Sequence, residues 1–226
     1  MNRDDFLAVV EEAAVSGRAH RVKTRDLPDT VGYVGCGDDR SAAMAAEVEA
    51  VGGEVHLVAN DEQARDTLTR LLAEIKPTVA FCWKHPLLDR LQVSETLSNC
   101  NIACHDFDSL SEMDPQTQRA TILSADVGIT SVDYAVAETG SLVVCSKPGQ
   151  ERMVSLLPPV HVALIDEAQI LPDLYDLFGR LQEHHARALP SNLAFITGPS
   201  KTGDIELQLT TGVHGPGRWI VVIIRS

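Results

Sequence analysis

The sequence predicts an α/β fold, a mostly parallel sheet flanked by helices, on three observations. Strand-length apolar runs alternate with amphipathic helix-length runs from residue 31 onward. Runs such as TVAFCW (78–83) and WIVVII (219–224) are continuously apolar, as strands covered on both faces should be. The chain has 226 residues and is 44% hydrophobic, enough to bury such a core without disulfides.

The elements follow in order. Phe6, Val9, Val10, Ala13 and Ala14 fall on one stripe of a helix over residues 2–16, with Asp4 and Asp5 at its positive end. Arg18 to Asp29 reads as a polar connector, so residues 1–29 stand apart from a domain over 30–226. A short apolar stretch at 31–34 leads through a glycine turn to a helix carrying Met44, Val48 and Val51, stopped by Gly52-Gly53. EVHLVA (54–59) reads as a strand. Asn60 or Asp61 caps the next helix, with Ala64, Leu68, Leu71, Leu72 and Ile75 on one face and Pro77 beyond its end. After strand 78–83 come a short helix near 86–92, a strand at 101–104 and a helix near 115–124. VGIT (127–130) precedes DYAVAETGSLVVCS (133–146), which reads as two β segments broken at Glu138–Gly140. VHVALI (160–165) is a strand, and Pro172 begins a helix with Leu174, Leu177, Phe178 and Leu181 on one side. LAFIT (193–197) and WIVVII are the last strands, separated by a glycine-rich segment, 198–217.

Charge and composition exclude some functions. Lys and Arg number 19 against 32 Asp and Glu, a net charge of −13. Such a surface repels phosphate backbones and argues against nucleic-acid binding, but leaves room for a local anion pocket. No run of 18 apolar residues predicts a membrane span, and acids stand where the positive start of a signal peptide would be. The expected location is the cytoplasm, with the five cysteines reduced.

Several motifs approach known sites and miss them. GYVGCGDD (32–39) suggests a dinucleotide fingerprint, but Arg40 stands where its third glycine belongs and two aspartates would repel a pyrophosphate. GPSKTGDIE (198–206) suggests a phosphate loop, yet Gly203 is followed by Asp204 and Ile205 rather than Lys and Ser/Thr. Two readings stay open there. Ser200, Lys201 and Thr202 hold an anion at the start of a helix, or the segment is a plain strand-to-helix turn capped by Asp204. Glycines surround His214 in TTGVHGPGR (210–218), which suits a close-fitting ligand loop or a long turn. Glu138 breaks two apolar runs, so it is either a base or nucleophile in a cleft, or a hairpin corner. Cys100 and Cys104 lack a second pair at zinc-finger spacing; they, with Cys36, Cys82 and Cys145, read as buried small hydrophobes, and no metal site is predicted. His184 and His185 read as surface residues, and Ser141 lacks the elbow of a serine hydrolase.

Three segments together carry a resemblance: SADVGITSVDYAVAETGSLVV (124–144), GPSKTGDIE and GVHGPGRWIVVII (212–224). Over about residues 30–226 the chain resembles the lactate utilization protein C (LutC/YkgG) group of LUD-domain proteins. The resemblance implies a NagB/RpiA/CoA-transferase-like fold and a role in oxidising L-lactate to pyruvate beside iron–sulfur and cysteine-rich subunits. Larger relatives carry cluster cysteines in a C-terminal extension; this chain stops at Ser226, so no iron–sulfur cluster of its own is expected, and its cofactors stay unassigned. By superfamily analogy the ligand lies on loops at strand C-terminal ends. Glu138, Thr139, Gly140 and Ser141 match one family stretch. Gly198, Pro199, Ser200, Thr202, Asp204 and Glu206 match a second, with Lys201 between them, and Gly212, His214, Gly215 and Pro216 match a third. The three loops are expected to form one pocket for a small anionic ligand, with Glu138 as catalytic residue. Two other functions stay open: a stand-alone CoA-transferase-like or sugar-phosphate-isomerase-like enzyme using Glu138, and a non-catalytic interaction or regulatory protein.

Overall fold

The computed structural model describes residues 2–18, 36–184, 190–202 and 210–225. The expected strand at 31–34, the connector to Asp29, His185, Asp204 and Glu206 lie outside the described residues. The chain divides into two units, Met1–Val34 and Gly35–Ser226. In the first, α1 spans Arg3–Arg18 and opens with a reciprocal cap: Asp5 N–H donates to Asn2 Oδ1 at 2.8 Å, and Asn2 N–H to Asp5 Oδ2 at 3.3 Å.

The second unit builds its sheet from short units, each with a visible local cause. Asp39 starts α2 (Arg40–Ala50) by accepting the Ala42 N–H at 2.8 Å, so a carboxylate already holds the helix end that a pyrophosphate would need. Met44 and Val48 of α2 enter the core. After β1 (Glu54–Val58), Asn60 caps α3 (Asp61–Ile75), which buries Ala64, Leu68, Leu71 and Leu72 and ends at a left-handed Lys76 before Pro77. The chain continues through β2 (Val79–Cys82), α4 (Pro86–Arg90), α5 (Val93–Asn99), β3 (Ala103–His105), α6 (Phe107–Ser111) and α7 (Pro115–Leu123). Then come β4 (Val127–Thr130), β5 (Tyr134–Val136), β6 (Ser141–Cys145), α8 (Met153–Leu156), β7 (Val160–Asp166) and β8 (Ile170–Leu171). The last elements are α9 (Leu174–His184), β9 (Leu193–Ile196), β10 (Lys201–Thr202), β11 (Thr210–Thr211) and β12 (Arg218–Ile224).

Among the described residues the larger sheet has the order β1-β12-β7-β4-β2-β3, and every pairing in it is parallel. Its central strands are fully buried, which is why they read as continuous apolar runs. A second sheet, β8-β5-β6-β9, takes the remaining long segments and is antiparallel at β5–β6 and β6–β9. Two residues of the SADVGIT stretch are explained by this frame. Asp126 Oδ2 accepts the Thr78 N–H, the Val79 N–H and the Thr78 hydroxyl at 2.7–3.0 Å, tying the start of β2 to the start of β4. A Cβ on Gly128 would fall 1.8 Å from the Val154 carbonyl oxygen, so only glycine lets α8 lie on β4.

Three expectations need correction. Lys201 and Thr202 do not open a helix: they form β10, paired antiparallel with β11, while the expected cap Asp204 lies outside the described residues. The third strand of the larger sheet is 103–105 rather than 101–104, because α5 runs to Asn99 and Asn101 turns left-handed at φ 56°. Cys100 and Cys104 are exposed, the first at the end of α5 and the second on edge strand β3; Cys36 is half-buried, and only Cys82 and Cys145 are buried as expected.

Candidate functional site

The E-T-G-S stretch forms the tight corner between β5 and β6. Gly140 takes φ 62°, and a Cβ there would lie 2.8 Å from backbone atoms of Glu47 and Val48 in α2. The corner is therefore pressed onto a helix, and only glycine fits. Glu138 gives its N–H to the Pro172 carbonyl at 3.1 Å while its side chain is exposed. Pro172 thus precedes α9 and serves the corner instead of entering the helix. Inward from it, the Thr139 hydroxyl donates to Ser141 Oγ at 2.8 Å, and Ser141 Oγ lies 2.7 Å from Thr197 Oγ1 just after β9.

The other two loops lock together. Ser200 N–H donates to the Pro216 carbonyl at 2.8 Å, and Gly212 N–H donates to the Ser200 carbonyl at 2.9 Å. Gly217 and Arg218 N–H groups bind the Pro159 carbonyl ahead of β7. These bonds hold residues 198–200 beside 214–216.

A cavity of about 340 Å³ opens between them, near the lower end of the usual ligand-site range. Gly198, Ser200, His214 and Gly215 line it together with Arg152 and Ser155. Leu156, Ala194 and Ile196 supply apolar surface, and Thr197 joins it to the Thr139–Ser141 hydroxyl chain. Among the described residues no carboxylate lines this cavity, and its one fixed charge is Arg152, which makes no ion pair. It lies ahead of β7 and β12 in the larger sheet and at the C-terminal end of β9 in the second.

The predicted residues thus divide. Gly198, Ser200, His214 and Gly215 come together in the cavity wall, and Ser141 and Thr139 reach it through Thr197. Glu138 and Gly140 belong to the corner on α2 and do not line the cavity. Lys201 is turned away: its Nζ donates to the Val51 carbonyl at 2.5 Å, capping the negative end of α2. Pro199, Thr202 and Gly212 shape the loops without lining the cavity, and Asp204 lies outside the described residues. Arg152 went unread in the sequence because a single arginine before a four-residue helix carries no spacing signal.

A larger cavity, about 720 Å³, sits at the C-terminal ends of β1, β7 and β12. Its arginines are already neutralised: Arg90 pairs with Asp166 at 2.6 Å and Asp61 at 3.0 Å, and Arg225 with Asp39 at 2.8 Å. An entering anion would meet the carboxylates as well. Among the described residues no group of three or more His, Cys, Asp or Glu side chains is placed to hold a metal ion, and no helix is long and apolar enough to cross a membrane.

Comparison with known proteins agrees with this frame. The profile of the LUD domain matches residues 42–224. A lactate utilization protein C from Halalkalibacterium halodurans is 33% identical over 170 residues, covering 73% of this chain and 69% of that protein. One from Geobacillus sp. is 28% identical over 241 aligned positions, covering 99% of this chain and 95% of the relative. The crystal structure of a DUF162 family protein from Deinococcus radiodurans superposes with a TM-score of 0.59 at 18% identity, over 82% of this chain and 98% of that one, a likeness of fold.

Proposed function

The chain belongs to the LUD domain family, and on that premise we propose that it serves lactate utilization by binding a small hydroxy- or oxo-carboxylate beside Arg152. The wall of the 340 Å³ cavity carries this reading: in a chain of net charge −13, its described residues present one arginine and no carboxylate. A guanidinium is the side chain best suited to a carboxylate. Ser200 Oγ and the His214 ring offer hydrogen-bond partners to an oxygen at C2, and Leu156 and Ile196 suit a methyl group. The names of the relatives support the choice of lactate.

In this reading the chain is an accessory component of a cytoplasmic system. It holds the ligand, and the iron–sulfur and cysteine-rich subunits implied by the family resemblance carry the electrons. The test is titration calorimetry of the purified chain with L-lactate, D-lactate, pyruvate and inorganic phosphate. Saturable binding of L-lactate or pyruvate is expected, weakened about tenfold or more in Arg152→Ala through loss of a charged hydrogen bond. Binding of none of the three organic acids, or full affinity in Arg152→Ala, overturns the reading.

A further inference from the structure

We propose that Cys104 and Cys82 form a thiol-modification site, in which a hydroperoxide converts the two side chains into a reversible disulfide. The inference rests on strand register and is independent of the carboxylate cavity. β2 and β3 pair in parallel with Ala80 opposite Cys104. Cys82, two residues beyond Ala80, therefore projects from the same face of the sheet as Cys104. The two thiols stand close enough to shift each other's protonation in opposite directions. Cys82 is buried at the end of β2, while Cys104 is exposed on the edge strand of the sheet. One thiol is therefore open to a small oxidant and the other is sheltered behind it.

The environment divides the roles. The neighbouring Cys82 thiol holds the Cys104 thiol below the ordinary range, against the opposing effects of partial burial and of Asp106. The same contact, with burial, pushes the Cys82 thiol well up. Cys104 is then the nucleophile and Cys82 the resolving thiol. In the first step the Cys104 thiolate attacks the peroxide; an S–O bond forms, the O–O bond breaks, and the leaving oxygen departs protonated as water or alcohol. In the second step Cys82 sulfur attacks the sulfenic sulfur; the S–S bond forms, the S–O bond breaks, and the hydroxyl leaves as water with the Cys82 proton. The sulfurs lose two electrons and the peroxide gains them. A dithiol reductant reverses the change.

Diagonal neighbours in a sheet stand about 7–8 Å apart at Cα, beyond the usual disulfide span. Closure therefore asks the backbone to shift by about 1 Å or more. β3 has three residues and, among the described residues, pairs on one side only, so it is the element that can move. A bond made this way is strained and easily reduced.

The test is peptide mapping of the full chain after brief treatment with hydrogen peroxide, followed by alkylation of remaining thiols without reductant. A Cys82–Cys104 cross-linked peptide is expected, lost on dithiothreitol treatment. Cys82→Ala should leave sulfenic acid at Cys104, trapped by dimedone. Cys104→Ser, a change at an exposed site, should abolish the cross-link and leave Cys82 unmodified. Exposed Cys100 is the internal comparison and should be oxidised later than Cys104. A Cys100–Cys104 cross-link, stable sulfenic acid at Cys104 in the unaltered chain, or no oxidation at Cys104 ahead of Cys100 would each overturn the proposal.

Discussion

The Ser141 hydroxyl lies 2.7 Å from that of Thr197, and through this contact the glycine corner on α2 is wired to the wall of the candidate ligand cavity. Ser141 is buried, so its hydroxyl depends on Thr139 and Thr197 for partners. Ser141→Ala should cost about 1 kcal/mol of stability, read as a lower urea midpoint. It should also weaken carboxylate binding less than Arg152→Ala does, since it touches the wall and not the ligand.

Glu138 separates the binding reading from a carboxylate-based enzyme. Its side chain is exposed and does not line the cavity. Glu138→Gln should leave affinity for lactate or pyruvate within about twofold and stability within about 0.5 kcal/mol, as for an ordinary surface change. Trapping an acyl group on Glu138 by mass spectrometry would count against this expectation.

Gly140 makes a sharper demand. Gly140→Ala combines a left-handed backbone with a Cβ 2.8 Å from the α2 backbone. It should destabilise by about 2–4 kcal/mol. Gly37→Ala is the control: φ is +67° there, but nothing lies within 4 Å, so only the conformational cost of about 1 kcal/mol remains. Equal melting-temperature losses for the two variants would contradict the packing argument.

His161 sets an acid limit. Its ring is fully buried in β7, with the Thr130 hydroxyl 2.8 Å from Nε2, and burial pushes its pKa down from 6.5 to about 4. Above pH 6.5 the ring is neutral folded and unfolded, and its contribution is complete. Between pH 6.5 and pH 4 the unfolded chain takes up a proton that the folded chain refuses, so stability is lost as pH falls and levels off below. The loss over this window is on the order of 3 kcal/mol. Half-buried His85, lowered chiefly by burial, adds in the same direction. Urea midpoints at pH 7 and 4.5 should converge in His161→Gln; an unchanged gap would assign the limit elsewhere.

Lys201 belongs to the frame, not to the ligand. Lys201→Met should lower stability by about 0.5–1 kcal/mol through the lost contact with the α2 terminus. Ligand affinity should stay the same by calorimetry.

Much of the frame was legible in the sequence because it follows local rules. The Leu68, Leu71 and Leu72 stripe and the Asn60 cap announce α3, and Ile220 to Ile224 announce a strand buried on both faces. What escaped depends on contacts distant in sequence. Nothing within LAFI says that β9 joins β6 in a second sheet while β12 enters the first. Glycine and hydroxyl residues at 198–202 suit an anion loop and a hairpin equally, and only pairing with 210–211 decides. Part of the cavity was readable, since Ser200, His214 and Gly215 belong to motifs. Arg152 was not, because its role comes from where α8 lies against those loops.

The place of β12 has a consequence for synthesis. It lies between β1 and β7, paired to both, although it follows every other strand in sequence. Until residues 218–224 leave the ribosome, β1 has no partner among the described strands and β7 presents an open edge. Completion of the larger sheet thus waits for the last of its strands to be made. A nascent chain stalled before Arg218 is the form most exposed to strand-edge association and most in need of a chaperone.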